Sequence, residues 1–293
     1  MLSREENETL TRVGPGTQAG AMLRRYWWPV AFTEAIKAKG APAKVRLLGE
    51  DFVLFRDGGG NLGLLELHCS HRGTSLEFGR VEEVGIRCCY HGWLYDLGGK
   101  CLEQPAEPEG SAFKERIQHP AFHAREAWVE GVARPRITHF IFPAHVRHSA
   151  ARVGEQPRQV IRFRVPVDDC TTHTFWIDFY PHKDGQATQP DALRTKGFRK
   201  SQPGVYERVQ DGWWNLPNRE QDRVAQESQG VIADRSKEHL ASSDQGIAML
   251  RKMIWDSIES VHAGKDPIGV IRDTGQNESI TFDSSRDAVE ALA

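Results

Sequence analysis

Residues 69–73 read Cys69-Ser70-His71-Arg72-Gly73, and residues 88–93 read Cys88-Cys89-Tyr90-His91-Gly92-Trp93. The first is C-x-H; the second, separated from His71 by sixteen residues, is C-x-x-H. Each half pairs one thiol with one imidazole and then reaches a glycine. Such a residue lets a tight turn aim two side chains at one metal. Two thiolates and two imidazoles suit a [2Fe–2S] cluster with both Cys on one iron and both His on the other. Neutral imidazole in place of charged thiolate makes that iron easier to reduce. The same donors also suit tetrahedral zinc, although zinc knuckles usually open C-x2–4-C. Cys89-Tyr90-His91 is itself C-x-H, so Cys89 competes with Cys88 for the second thiolate. Cys101 and Cys170 have no His neighbour and read as buried small hydrophobes.

The pattern C-x-H-R-G followed by C-x-x-H-G-W resembles the Rieske domain of the ring-hydroxylating oxygenases. That resemblance selects Cys69, His71, Cys88 and His91 as cluster ligands. It leaves Cys89, where the family often has proline, as a spare thiol. The likeness continues in the opening stretch, in Val165-Pro166-Val167-Asp168-Asp169, in Gly230-Val231-Ile232-Ala233-Asp234 and in Glu238-His239-Leu240-Ala241-Ser242-Ser243-Asp244. All are similar to large (alpha) subunits of the phthalate-dioxygenase type, so it covers nearly the whole chain. It implies a [2Fe–2S] cluster and one non-haem Fe(II), the latter held by two His and one carboxylate with positions open for O2 and substrate. It also implies a reductase or ferredoxin as electron donor, a small aromatic or apolar substrate, and a trimeric homo-oligomer.

Asp222, followed by Glu227-Ser228-Gln229-Gly230, matches the family's carboxylate ligand to that iron. The family's D-x-x-H-x-x-x-x-H helix, which supplies the two His, has no counterpart. Residues 126–128 resemble the family's strand before that helix and 134–142 a strand well after it. The joining residues 129–133 are too few to contain the helix, so the catalytic domain reads as internally shortened. The remaining candidates are His119, His123, His139, His145, His148, His173, His182 and His239. His119 and His123 fall on an expected strand, where i and i+4 stand too far apart to chelate one ion. Two functional expectations follow: an oxygenase subunit that hydroxylates with O2, or, because the paired His are missing, a non-catalytic Rieske electron-transfer protein.

Composition narrows the partners. The chain has 293 residues, 39% of them apolar and 27% charged, an ordinary globular balance. A net charge of −2 gives no reason to expect nucleic acid or an anionic membrane. No apolar run reaches the ~18 residues of a membrane span. Five Cys, two of them committed to iron, leave no disulfide framework and point to a reducing cytoplasm.

The expected fold is α+β: an antiparallel Rieske domain, then a reduced helix-and-sheet domain. The divisions are 1–30 (N-terminal helices), 31–125 (Rieske), 126–273 (shortened catalytic-type domain) and 274–293 (polar tail). Ser3 opens a capping box through Glu6, and Thr17 caps a helix running past Tyr26 to Pro29. Strands are expected over 44–48, 52–56, 62–66, 93–97, 100–102, 137–142, 160–165 and 174–179. His145 and His148 fall in a loop, and 184–204 reads as a long loop. Ser242 to Gln245 forms a capping box before a helix whose stripe is Ile247, Leu250, Ile254, Ile258 and Val261.

Overall fold

The computed structural model describes residues 2–126, 139–150, 158–179 and 218–276. The joint at 129–133, the loop at 184–204, His182 and the tail from 277 onward lie outside the described residues.

Helix α1 (Arg4–Thr11) starts on the expected capping box. The Ser3 hydroxyl accepts from the Glu6 N–H at 3.1 Å, and the Glu6 carboxylate accepts from the Ser3 N–H at 2.6 Å. Helix α2 (Gln18–Leu23) is capped by Thr17 but stops sooner than expected. The Trp28 indole N–H donates to the Leu23 carbonyl at 2.9 Å, so a side chain satisfies the helix end and Tyr26 lies beyond it.

The first sheet has the order β1-β2-β3-β8, with β1 at Ala43–Leu47, β2 at Glu50–Arg56, β3 at Leu62–Glu66 and β8 at Ala121–Phe122. All its pairings are antiparallel. Strand β2 is buried on both faces, which is why Phe52-Val53-Leu54-Phe55 shows no polar alternation. Val53 and Phe55 enter one core with Leu65, Leu67, Leu76, Trp93 and Tyr95. Phe52 and Leu54 enter another with Ile36 and Leu64. The second sheet runs β4-β5-β6-β7: Arg80–Val81, Ile86–Arg87, Leu94–Tyr95 and Cys101–Glu103. Residues 67–79 connect the two sheets, and 88–93 close the β5–β6 hairpin. The two Cys/His motifs sit on these two loops.

The third sheet is a meander, β9 (His139–Ile141), β10 (His145–Ala150), β11 (Arg158–Pro166) and β12 (Thr172–Phe179). The sequence reading placed His145 and His148 in a loop, but they pair with Phe163 and Val160 within β10. Their strand reads His-Val-Arg-His-Ser-Ala, too polar for apolar alternation to reveal it.

Helix α3 covers Asn218–Glu227 and α4 covers Gln245–His262. Before α4, Ser242–Asp244 makes a single 3-10 turn, and the Asp244 carboxylate accepts from the Ala241 N–H at 2.8 Å. Only the C-terminal part of the α4 stripe is core: Ile258 packs on Ala19 and Met22 of α2, with Ile254 and Val261 beside it. Ile247 is exposed.

The segments carrying the wider resemblance are joints. The N–H groups of Leu48 and Gly49 donate to the Pro166 and Val167 carbonyls at 2.9 and 2.7 Å, tying the first sheet to the β11–β12 turn. The Asp169 carboxylate accepts from the Val13 N–H at 2.8 Å and from Arg12 at 3.1 Å. Asn7 donates to the Ala233 carbonyl at 3.2 Å. Among the described residues no helix is long and apolar enough to cross a membrane.

Candidate metal centre

Both motif loops close with the same backbone bonds. The Cys69 N–H donates to the Thr74 carbonyl at 2.9 Å, and the Gly73 N–H returns to the Cys69 carbonyl at 2.8 Å. The Cys88 N–H donates to the Trp93 carbonyl at 2.9 Å, and the Gly92 N–H returns to the Cys88 carbonyl at 3.1 Å. Each glycine stands four residues after its cysteine with φ of +72° or +76°, a conformation that L side chains avoid. Two copies of one turn thus face each other.

Their side chains separate by chemistry. Cys69 and Cys88 are buried and close enough to interact, whereas His71 is exposed and His91 half-buried. The imidazoles stand edge to face, centroids 4.5 Å apart. Cys89 is exposed on the turn that follows the buried Cys88. Cys101 is buried as expected; Cys170 is exposed, a correction explained by its place on the β11–β12 turn, where its N–H donates to Asp168 at 3.0 Å.

Burial pushes the Cys69 thiol up, against hydrogen bonds from the Tyr95 hydroxyl and the His71 backbone N–H that draw it back. The Tyr95 oxygen is 3.1 Å from Cys69 Sγ. Those two donors favour the thiolate, the form that binds metal. Partial desolvation, then His91 and Arg72, hold His71 below its ordinary value, so the ring is neutral near pH 7. Neutral imidazole is likewise the ligating form. Around the second loop, Arg87 donates to the Gly92 carbonyl at 2.7 Å, to Glu82 at 2.7 and 2.9 Å, and to Glu103 at 2.7 Å. The sequence pointed to neither Tyr95 nor Arg87, and to His119 only as a candidate ligand of the mononuclear iron. Tyr95 could have been found, since it lies two residues after Trp93 and so shares its face of the strand.

The donor set fits a two-iron cluster. A buried thiol pair and a surface imidazole pair give two ligands to each of two metals. Among the described residues no three His, Cys, Asp or Glu side chains converge on one point, as the donors of a single ion would.

The proposed mononuclear site is not assembled in the same way. Asp222 is an exposed carboxylate on α3. His119 is fully buried with both ring nitrogens bonded, to Ser70 at 2.7 Å and to the Glu66 carbonyl at 2.8 Å. His123 is exposed just beyond β8. His145 is buried against Trp28 and Phe163, and that burial pushes its pKa down to about 4. His148 and His173 lie on β10 and β12, and His239 is exposed before α4. His139 begins β9. The described residues therefore do not by themselves make a two-His, one-carboxylate iron site.

A family model described as Rieske [2Fe-2S] domain matches residues 26–121. The chain is 30% identical over 377 residues to the 5,5'-dehydrodivanillate O-demethylase oxygenase subunit of Sphingobium sp. (strain NBRC 103272 / SYK-6), covering 99% of this chain and 88% of that one. The matched span exceeds the 293 residues here, so the relative carries internal segments that this chain lacks. It is 39% identical over 159 residues to the phthalate 4,5-dioxygenase oxygenase subunit of Pseudomonas putida, covering 53% of this chain and 36% of that one. Among solved structures, NdmA of Pseudomonas putida CBB5 shares the fold, with TM-score 0.62, 17% identity, and coverage of 85% of this chain and 94% of that one.

Proposed function

The chain belongs to the family of Rieske oxygenase subunits, and from that premise we propose that it accepts electrons at a [2Fe–2S] cluster held by Cys69, Cys88, His71 and His91 for O2-dependent hydroxylation. The observation that carries this reading is the pair of matching turns that bury two thiols and leave two imidazoles at the surface. When bound, the cluster supplies one-electron transfer at a potential raised by its imidazole ligands.

The chain's own groups do the rest. Cys69 and Cys88, in the core shared with Leu76, Ile86 and Tyr95, would hold one iron out of water. His71 and His91, exposed and half-buried, would hold the other near the surface, within reach of a reductase or ferredoxin. Tyr90, exposed and tilted against His91 at 3.7 Å, gives that rim an apolar contact. Trp93 closes the inner side. The relatives include a 5,5'-dehydrodivanillate O-demethylase and a phthalate 4,5-dioxygenase, which supports a small aromatic or apolar substrate. On this reading 31–125 is the electron-accepting unit and 126–273 the shortened catalytic one. Asp222 is the carboxylate assigned to a non-haem Fe(II) by resemblance, and its two imidazole partners are not among the contacts described.

The test is reductant-driven O2 uptake coupled to product, on aromatic acids and aryl ethers. Coupled product is expected, reduced by Asp222→Ala without change in the cluster's absorption. A cluster that reduces and reoxidises with no product under any condition would favour the electron-transfer protein instead.

A further inference from the structure

His119 is one of the most deeply buried polar side chains described, and neither loop motif contains it. Its surroundings join four parts of the Rieske domain. The Glu66 carbonyl, at the end of β3, lies 2.8 Å from Nε2. A carbonyl can only accept, so Nε2 carries the proton. Burial disfavours a second proton, which leaves Nδ1 as an acceptor. The Ser70 hydroxyl, 2.7 Å from Nδ1, therefore donates. The ring also packs against Tyr95, centroids 4.7 Å apart, and the His119 N–H donates to the Gly99 carbonyl at 2.7 Å. Directly after His119, β8 pairs with Leu64 and Leu65 of β3, so the imidazole stands on a fixed strand.

Ser70 is the one residue between Cys69 and His71. The Tyr95 oxygen lies 3.1 Å from Cys69 Sγ, and toward a ligating thiolate, which can only accept, its hydroxyl is the donor. His119 touches Ser70, the residue after Cys69, and the ring of that donor. We propose that His119 is a positioning residue for the cluster: by clamping Ser70 and backing Tyr95, it holds the Cys69 turn and the Tyr95 hydroxyl against each other. The proposal rests on the cluster assignment above. Donors to a ligating sulfur stabilise the more negative, reduced cluster and raise its potential. Loosening the clamp should therefore lower it.

The experiment uses the full chain loaded with iron and sulfide anaerobically, reading iron content and an EPR-monitored reduction potential. His119→Phe keeps a ring against Tyr95 and removes both hydrogen bonds. Ser70→Ala removes the hydroxyl, and Ser70→Thr retains it. Expected are full iron content in all variants and lower potentials in His119→Phe and Ser70→Ala. The double variant should fall no further than the lower single, and Ser70→Thr should match wild type. If His119→Phe does not fold, the Ser70 pair decides alone. A wild-type potential in Ser70→Ala overturns the proposal, as does a stability loss in His119→Phe with no change in potential or g-values. A wild-type chain that takes up no cluster would instead overturn the assignment on which the proposal rests.

Discussion

His71 lies flat on Trp93, ring centroids 4.5 Å apart and planes 8° from parallel. The indole is buried, so it fixes the plane of an imidazole that is otherwise exposed. Groups that orient a metal-bound His typically matter by about 10–100-fold in metal affinity. Trp93→Leu keeps the site apolar but removes the flat face. It should speed loss of the cluster in chelator by about that factor, while Trp93→Phe stays near wild type. Equal loss rates in all three would show that the stacking is incidental.

The two adjacent cysteines make opposite predictions. Cys88 is buried beside Cys69, and Cys89 points to solvent. Cys88→Ser should abolish the visible absorption of the cluster, whereas Cys89→Ser should leave it intact. Loss of the cluster in Cys89→Ser alone would place the register one residue off.

Acid should loosen the second loop first. Hydrogen bonding from Arg87, then from Arg80, holds the Glu82 carboxyl down to about 2 from its ordinary 4.5. A carboxylate with a depressed pKa adds stability that is complete above its unfolded value and disappears as pH falls through the folded one. Arg87 also holds the Gly92 carbonyl, so the loss reaches the His91 turn. Melting temperature should drop between pH 4.5 and 2, more steeply in wild type than in Arg87→Leu. Parallel profiles for the two proteins would mean that the Glu82–Arg87 pair carries none of this dependence.

Among the described residues, helix α4 joins a core through its C-terminal half. Ile258→Ala removes a buried side chain from the contact with Met22 and should cost about 2–5 kcal/mol. Ile247→Ala, on the exposed first turn, should stay within about 0.5 kcal/mol. Chemical denaturation of both variants checks the pair, and equal costs would refute the one-ended packing.

Much of this fold was legible in the sequence because local chemistry declared it. Ser3 and Glu6 make their reciprocal cap, and Leu62–Glu66 is the strand expected after the Gly58-Gly59-Gly60 turn. The ligand turns were readable from Gly73 and Gly92. What escaped was decided by tertiary contact. Strand β10 is polar along its length and is held by β9 and β11. Helix α2 ends early because Trp28 reaches back to Leu23. Asp222 illustrates the limit for the site: its match rests on a position ahead of Gly230, and the imidazoles that would join it leave no local signal in the sequence.

The most direct test of the metal centre is elemental analysis with EPR on protein expressed in iron-replete cells and purified anaerobically. The cluster reading predicts about two irons and two labile sulfides per chain at Cys69, His71, Cys88 and His91, with the reduced-state signal of mixed nitrogen and sulfur ligation. Bound zinc without iron, from those same cells, would contradict it.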